Sequence, residues 1–254
     1  MSIYGEPLYY EIAFSFINPS KQVDLFESLI KKYSKTKPSS FLDIGCGPAP
    51  QLLELAKRGY RCVGLDLCPN MLKYLTVKAK EENLKIETKK ADFTHFKLKK
   101  PVDFAMMMMG TIGYIDSTKK LVSHLNSTAK ALTPGGLYLI ENFRTVRNKE
   151  DFFSPQTWMI KRKGILVRVF YSIDIKDVAN GLETETILLD VDDHGKKHLF
   201  TQKADIKIFS PAEFLEAIKA AGDFEFLGWF DRESMRKTKL PKIGNYALLR
   251  RKNV

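Results

Sequence analysis

The chain has 254 residues, with 41 Lys and Arg against 30 Asp and Glu, and a net charge of +11. A hydrophobic fraction of 44% excludes a disordered chain, and the length fits one large α/β domain, since domains average roughly 150 residues. No apolar run reaches the ~20 residues that cross a bilayer, and the first residues lack the pattern of a signal peptide. We therefore expect a cytoplasmic protein.

The cysteines Cys46, Cys62 and Cys68 all lie in the first third of the chain and form no Cys-x-x-Cys pair. A disulfide framework would need an even and dispersed set, and no histidine stands at zinc-finger spacing from these cysteines. We expect reduced thiols and no metal site.

Strands and helices are predicted to alternate from residue 41, after an aromatic stretch near 9–17 and a helix near 23–33. Such alternation is typical of βαβ units in a parallel sheet. We predict strands near 41–44, 61–66, 84–88, 102–109 and 136–142, and helices near 49–58, 69–81 and 117–132.

The alternation stops after Phe143, where segments with β-type composition and turn signals follow one another. Strands near 165–171, 183–189 and 203–209 indicate an antiparallel insertion. The stretch from Ser210 to Glu213 has the composition of a capping box and opens a helix to residue 221, which two strands near 224–230 and 244–250 follow. The predicted units are a cap and core over 1–145, the β insertion over 146–209 and the closing elements over 210–254.

A glycine loop follows the first predicted strand, in the sequence Leu42-Asp43-Ile44-Gly45-Cys46-Gly47. Glycines let the backbone approach a ligand, and the next helix presents free N–H groups at its start. Asp66 closes the following strand, about 20 residues further on, where a carboxylate can accept hydrogen bonds from both hydroxyl groups of a ribose. The pattern predicts a site for a nucleoside-containing ligand.

Two residues distinguish this loop from a dinucleotide-binding loop. Pro50 stands where the third glycine would fall, and Asp43 places a carboxylate before the loop. A carboxylate there would repel a pyrophosphate but would attract the ammonium and sulfonium groups of S-adenosylmethionine. The residues therefore favour S-adenosylmethionine over NAD.

Four motifs in order resemble those of class I S-adenosylmethionine-dependent methyltransferases. They are Leu42-Asp43-Ile44-Gly45-Cys46-Gly47, Leu65-Asp66-Leu67 with Pro69-Asn70-Met71-Leu72, Ala91-Asp92-Phe93, and Leu132-Thr133-Pro134-Gly135-Gly136. The resemblance implies an α/β fold with a Rossmann-like sheet of seven strands, the last of them antiparallel, and an inserted antiparallel β lid. It also implies that S-adenosylhomocysteine is the product.

The resemblance assigns a part of the cofactor to each matching position. Gly45, Cys46, Gly47 and Met109 would line the methionine part, together with Asp43, while Asp66 would hold the ribose. Leu67 and Met71 would flank the adenine, and Asp92 with Phe93 would meet its edge. We expect Met106, Met107 and Met108, in a central strand, to pack in the core.

The plan of an aromatic N-terminal segment and a β insertion resembles small-molecule N-methyltransferases, including the amino-sugar and glycine N-methylating types. This resemblance implies that Tyr10 faces the cofactor and that the insertion covers the acceptor and can pair two subunits in a homodimer. Tyr114 lies where the acceptor should approach and could orient the nucleophile. Trp158 and Arg168 could shape the lid, whereas we expect His124 at the surface.

Other functions stay open at this stage. The positive charge suggests RNA or protein methylation, but the basic residues are dispersed without interleaved aromatic residues, which disfavours a nucleic-acid partner. A regulatory protein that binds the cofactor without turnover and a nicotinamide dehydrogenase are the further alternatives. No residue stands out as a general base, and Met109-Gly110 offers no acid for a metal-dependent mechanism.

Overall fold

The computed structural model describes residues 2–35, 37–143, 155–241 and 244–253, without the side chains of Asn142 and Phe143. These ranges contain one sheet of eight strands and one of four. The expected boundary between residues 145 and 146 lies outside the described residues.

The described ranges form six α-helices and twelve strands. The helices are α1 (Pro7–Ala13), α2 (Pro19–Tyr33), α3 (Pro50–Lys57), α4 (Pro69–Glu81), α5 (Thr118–Ala131) and α6 (Pro211–Ala221). The strands are β1 (Ser40–Ile44), β2 (Arg61–Asp66), β3 (Ile86–Lys90), β4 (Val102–Met107), β5 (Leu132–Phe143), β6 (Gln156–Arg162), β7 (Ile165–Asp177), β8 (Leu182–Asp193), β9 (Lys196–Lys207), β10 (Phe224–Phe230), β11 (Lys237–Thr238) and β12 (Asn245–Arg251). Across the described ranges, no helix is long and apolar enough to span a membrane.

The larger sheet has the strand order β11-β10-β12-β5-β4-β1-β2-β3. Strands β1 to β5 are mutually parallel, and β12 lies antiparallel between β5 and β10. The predicted α/β class and the antiparallel last strand are confirmed. The predicted count of seven strands is wrong for the described residues, because the short strand β11 adds an eighth at the edge beside β10.

Apolar side chains cover both faces of this sheet, as a parallel sheet with crossover helices requires. On one face, Leu121 and Leu125 of α5 and Phe214 of α6 belong to the core. On the other face, Val23 and Phe26 of α2 pack in a second core cluster with residues of α3 and α4. Met106, Met107 and Met108 are buried in these clusters, as predicted.

Strands β3 and β5 start at other residues than predicted, because of the way in which the helix before each of them ends. The backbone N–H of Leu84 donates to the Ala79 carbonyl at 2.8 Å, so Leu84 closes α4 and β3 starts at Ile86 rather than near 84. Strand β5 starts at Leu132, directly after α5, and its register against β4 shifts between Val102 and Phe104. The capping box at α6 is confirmed, with Ser210 accepting from the Glu213 N–H and its own N–H donating to the Glu213 carboxylate.

The smaller sheet is an antiparallel meander in the order β6-β7-β8-β9. Three of its strands were predicted, whereas β6 was missed because its three consecutive apolar residues, Trp158, Met159 and Ile160, do not alternate with polar ones. The sequence carried a turn signal for β6, since Lys163 and Gly164 connect it to β7 with φ values of 49° and 83°. Two left-handed residues are typical of a tight hairpin turn.

The N-terminal segment joins the two sheets through Glu11 of α1. Its carboxylate accepts hydrogen bonds from Lys78 of α4 at 2.7 Å, from Tyr74 of α4 at 2.8 Å and from Arg162 of β6 at 2.6 Å. Burial alone would raise the pKa of Glu11, but these hydrogen bonds and the Lys78 charge lower it. Trp158 of β6 also donates to the backbone of α1. Helix α1 is thereby tied to the core and to the smaller sheet.

His124 is fully buried, so its expected surface position is wrong. The imidazole lies on the inner face of α5, where Nδ1 donates to the Phe93 carbonyl at 2.8 Å and Nε2 accepts from the Tyr138 hydroxyl at 2.6 Å. Burial lowers the pKa of His124 to about 4, although the hydrogen bond to Phe93 and the charge of Asp92 act in the opposite direction. The histidine is therefore a neutral core residue whose polar atoms are satisfied.

We predict that His124 makes the protein less stable as the pH falls from about 6.5 to about 4. In this window the unfolded chain binds a proton that the folded state excludes, so the free energy of unfolding decreases with falling pH. The full effect amounts to about 3 kcal/mol, since one pKa unit corresponds to about 1.4 kcal/mol. Urea denaturation at several pH values should show a shallower dependence for His124→Gln. The exposed His95→Gln serves as the control, and a slope for His124→Gln equal to that of the wild type would contradict the assignment.

Candidate active site

The glycine loop follows β1 and approaches the neighbouring strands closely. Gly45 and Gly47 have φ values of 70° and 52°. A Cβ atom on Gly45 would lie 2.5 Å from Cγ2 of Thr111, in the turn after β4. The N–H groups of Gly45 and Cys46 both donate to the Leu65 carbonyl in β2. Glycine is required at position 45 by the φ angle and by the close approach of two loops.

Asp66, at the end of β2, is held by two backbone donors. Its Oδ2 accepts from the Gly47 N–H and its Oδ1 from the Cys68 N–H, each at 2.8 Å. A carboxylate oxygen can accept a second hydrogen bond, so both oxygens keep an acceptor position. The carboxylate is fixed in the cavity wall with the capacity to receive two hydroxyl donors.

Asp43, in β1 beneath the loop, is 2% exposed. Burial, and then the negative charge of Asp66, raise the pKa of Asp43 to about 8. A ligand that brings a positive charge beside Asp43 would lower this pKa and stabilise the carboxylate.

Two adjoining cavities open at the carboxyl ends of the parallel strands, with volumes of about 690 Å³ and 450 Å³. They share part of their walls, including Tyr10, Gly45, Gly47 and Met109. Every residue that the sequence predicted for cofactor binding or catalysis lines one of them. The larger cavity is lined by Tyr10, Gly45, Gly47, Asp66, Leu67, Met71, Asp92, Phe93, Met109 and Tyr114, and the smaller one adds Asp43 and Cys46.

The predicted adenine side lies between the ends of β2 and β3. Leu67 is exposed to the cavity and Met71 is buried beneath it. One carboxylate oxygen of Asp92 accepts from the N–H and the hydroxyl of Thr94, both at 2.7 Å, which fixes the turn after β3. Asp92 and Phe93 both line the cavity.

Glu141 positions the loop after β4. Its carboxylate accepts from the N–H of Met109 at 2.6 Å, and Met109 has a left-handed φ of 54°. Burial raises the pKa of Glu141, while the hydrogen bond from Met109 and the charge of Arg232 lower it in part. In the structure, Glu141 holds Met109 in the cavity wall.

Four polar side chains from separate elements form a hydrogen-bonded cluster in the larger cavity. The Tyr114 hydroxyl donates to Oε1 of Glu185 at 3.2 Å and accepts from the Tyr4 hydroxyl at 2.6 Å. The Tyr171 hydroxyl donates to Oε2 of Glu185 at 3.0 Å. We call Tyr4, Tyr114, Tyr171 and Glu185 the tyrosine–glutamate cluster.

The phenols near this cluster are held neutral. Burial raises the pKa of Tyr4, Tyr10 and Tyr114, and nearby negative charges, among them Glu185, raise it further. The charge of Asp66 also raises the pKa of Tyr4 and Tyr10. These two phenols therefore lie within electrostatic reach of both carboxylates.

The residues that the sequence missed lie mainly on the smaller sheet. Glu183 and Glu185 of β8 both line the cavity, as side chains two positions apart share one face of a strand. The signal was present in Glu183-Thr184-Glu185-Thr186-Ile187, where acids occupy inward positions of an otherwise apolar face. Trp158 lines the cavity as expected, whereas Arg168 lies outside it.

Arg168 points away because its strand register places it on the outer face, where it pairs with Asp190 at 3.1 Å. Cys46 and Cys62 are buried free thiols, and Cys68 is half-buried. In the described part of the chain, no group of three or more His, Cys, Asp or Glu side chains is arranged to hold a metal ion.

Residues 41–136 match the family model of a methyltransferase domain. A dTDP-3-amino-3,4,6-trideoxy-alpha-D-glucopyranose N,N-dimethyltransferase from Streptomyces venezuelae is 27% identical over 185 residues, which are 72% of this chain and 75% of the relative. A putative methyltransferase of Geobacillus sp. (strain WCH70) is 25% identical over 48% of this chain and 50% of its own length.

Solved structures share the fold over almost the whole chain. A S-adenosylmethionine-dependent methyltransferase from Clostridium acetobutylicum ATCC 824 has a TM-score of 0.79 at 15% identity, covering 97% of both chains. The sugar N-methyltransferase KedS8 from Streptoalloteichus sp ATCC 53650 has a TM-score of 0.73 at 19% identity, covering 97% of this chain and 92% of its own. Together with the glycine loop and the strand order, these matches show that the chain contains a methyltransferase domain and has the fold of S-adenosylmethionine-dependent methyltransferases.

Proposed function

We propose that the enzyme methylates an amine nitrogen of a small molecule. The observation that carries this proposal is the larger cavity, in which the cofactor loop and the Glu185 carboxylate line one space of about 690 Å³. A carboxylate suits a cationic amine, because it can pair with the ammonium form and accept a hydrogen bond from it. The cavity size suits a small molecule beside the cofactor.

The named activities of similar proteins support an amine acceptor. The relative from Streptomyces venezuelae is an N,N-dimethyltransferase of an amino sugar, and KedS8 is a sugar N-methyltransferase. A glycopeptide N-methyltransferase, MtfA, has a TM-score of 0.58 at 13% identity over 92% of this chain. These names support nitrogen as the methylated atom, which the resemblance seen in the sequence already favoured.

The proposed cofactor contacts follow the walls of the two cavities. Asp66 would receive the two ribose hydroxyl groups, since both of its oxygens keep an acceptor position. Asp43 would stabilise the positively charged methionine part beside the glycine loop and Met109. Leu67 and Met71 would flank the adenine, with Asp92 and Phe93 at its edge, and all four residues line the larger cavity.

When bound, the cofactor supplies an electrophilic methyl group on a sulfonium, and the residues of this chain would align the nucleophile with it. In-line displacement depends on holding the nucleophile in line, and such positioning can contribute about 7–11 kcal/mol to the lowering of the barrier. Tyr10 and Tyr114 stand between the loop and the acceptor side, where they would orient the nucleophile. Phe14 and Trp158 would help to exclude water.

The alternative functions predict different experimental results. RNA methylation would make binding to RNA steeply salt-dependent, because phosphate contacts release counterions. A regulatory protein would bind S-adenosylhomocysteine but transfer no methyl group. A dehydrogenase would bind NAD, which the buried Asp43 opposes.

We also propose that the outer face of the smaller sheet pairs two copies of the chain. Met159 and Leu199 are 69% and 61% exposed on this face, beside the Arg168–Asp190 ion pair. Large apolar side chains grouped at a surface are typical of an interface. A second copy would provide the same apolar residues and a complementary ion pair, as a two-fold interface requires.

The acceptor class is tested with a panel of small molecules and S-adenosylmethionine labelled in the methyl group. We expect label in one or more primary or secondary amines, with the methyl group on nitrogen by mass spectrometry. Matched hydroxyl compounds, in which the amine is replaced, serve as controls. Label confined to oxygen or sulfur acceptors, or to RNA or protein, would contradict the proposal.

Asp66→Ala should weaken the binding of S-adenosylhomocysteine by about 1–3 kcal/mol, because the ribose hydroxyl groups lose their acceptor. Calorimetry measures the affinity, and a thermal melt verifies that the variant is folded. The exposed Asp174→Ala is a control that removes a carboxylate from outside the cavity. Unchanged affinity of Asp66→Ala would overturn the placement of the ribose.

Leu199→Glu should convert the dimer to a monomer, because it buries a charge without a partner in the proposed interface. Sedimentation velocity measures the mass of both forms. Val77→Glu, at another exposed apolar position on α4, should leave the dimer intact. A monomeric wild-type protein would refute the pairing.

A further inference from the structure

We propose that Glu185 is the group that takes the proton from the acceptor ammonium, so that the smaller sheet supplies a catalytic residue. This inference rests on the proposed N-methylation. It assigns to the second sheet a chemical role beyond that of a cover.

The chemistry of the acceptor creates the need for such a group. An ammonium nitrogen has no lone pair and must lose a proton before it can attack a methyl carbon. The proton passes to the Glu185 carboxylate, the nitrogen lone pair forms the new N–C bond, and the C–S bond breaks with its electron pair remaining on sulfur. The carboxylic acid then releases the proton to solvent. One proton is released for each methyl group transferred, and the charges balance.

The hydrogen bonds at Glu185 hold its carboxylate in a fixed position. Tyr114 donates to one oxygen and Tyr171 to the other, at 3.2 Å and 3.0 Å. The donors come from the turn after β4 and from β7, so the carboxylate is oriented from both sheets. Each oxygen can accept a further hydrogen bond, which an ammonium could provide. The geometry suits a proton acceptor that is positioned before the substrate arrives.

Glu185 also lies close to the cofactor side of the cavity. Tyr114 ends the short helical turn Thr111–Tyr114, and Thr111 approaches the glycine loop at Gly45. Tyr10 is close enough to both Glu185 and Asp66 for their charges to raise the pKa of its phenol. An acceptor between Glu185 and Met109 would therefore face the loop that we assign to the methionine part.

Most other acidic groups of the cavity wall are committed to the structure. Asp66 holds the Gly47 and Cys68 N–H groups, Glu141 holds Met109, and Asp92 holds Thr94. Among the described residues that line the larger cavity there is no histidine or lysine.

The two remaining candidates are the phenols and Glu183. Burial raises the pKa of Tyr4, Tyr10 and Tyr114, so these groups stay protonated and cannot act as bases near neutral pH. Glu183 shares the strand face with Glu185 but is only 1% exposed, whereas Glu185 is half-buried and reaches the open cavity. The acceptor can reach Glu185 more readily.

The first experiment compares kcat/KM as a function of pH for the wild type and Glu185→Gln, with the amine that the panel identifies. At pH 7 we expect the variant to be slower by roughly 100-fold or more, the range of general base catalysis. The deficit should shrink as the pH rises toward the pKa of the amine, because solvent then supplies the neutral nucleophile. Glu185→Asp should recover part of the activity and the wild-type shape of the profile.

Three variants separate catalysis from a structural effect. Asp174→Asn makes the same carboxylate-to-amide change at an exposed position of β7. Asp174 is adjacent in the strand to the residue that pairs with Glu185, and its replacement should leave the pH profile unchanged. Tyr114→Phe removes one donor to Glu185 and should lower kcat while leaving the affinity for S-adenosylhomocysteine within about twofold. Glu183→Gln alters the same cavity wall, so its rate can change, but it should retain the wild-type dependence of kcat/KM on pH. The assignment would be overturned if the loss of activity at low pH appeared in Glu183→Gln and was absent from Glu185→Gln.

A second measurement is independent of turnover and uses cyclohexylammonium as a simple amine probe. Calorimetry of the complex with S-adenosylhomocysteine should show binding to the wild type and to Asp174→Asn. The affinity of Glu185→Gln should be at least about tenfold weaker, because a charged hydrogen bond is lost. Absent binding to the wild type, or equal affinity in Glu185→Gln, would overturn the inference.

The outcomes distinguish this inference from the proposed function. Methylation on nitrogen with an equal loss at every pH in Glu185→Gln would leave N-methylation standing and refute the role of Glu185. Methylation on oxygen or sulfur would refute both.

Discussion

The close approach of two loops at Gly45 is the constraint on which the site depends. The parallel strands β1, β2 and β4 end at one edge of the sheet, and the missing side chain at Gly45 lets the turn at Thr111 lie against the glycine loop. Asp66 then ties this loop to the start of α4 through two backbone N–H groups. The loops are thus fixed by hydrogen bonds and contacts that leave acceptor atoms facing a cavity. A side chain at position 45 would separate the strand ends and open the cofactor side.

A single half-buried carboxylate, Glu11, connects the core to the smaller sheet. It receives Lys78 from the core and Arg162 from the smaller sheet, so helix α1 is held between them. Buried carboxylates are tolerated when cations and hydrogen bonds compensate for lost hydration. Because Tyr4 and Tyr10 belong to this N-terminal segment, the same arrangement brings their phenols to the cavity. The aromatic start of the chain therefore completes the site as well as covering it.

The motifs in the sequence predicted a set of cofactor residues that the fold brings together at two cavities. Gly45, Gly47 and Asp66 are local signals, because a left-handed turn and a strand-end carboxylate have defined spacing along a βαβ unit. Every residue predicted in this way lines a cavity. The antiparallel last strand was also predicted, whereas β11 was not, since two residues carry no periodic pattern. Similarly, the apolar residues of β6 are consecutive and show no alternation.

The acceptor side was decided by the tertiary structure. Glu185 and Tyr4 are about 180 residues apart in the chain, and only the folding of the smaller sheet over the N-terminal segment brings both to Tyr114. His124 shows the same limit, because a polar residue on a helix is expected in water unless partners such as Phe93 and Tyr138 satisfy it in the core. Sequence alone determined the fold class and the cofactor loop, since both follow from short-range periodicity and backbone conformation. The pairing of distant polar side chains depends on which faces become buried together, and that is decided only when the sheets pack.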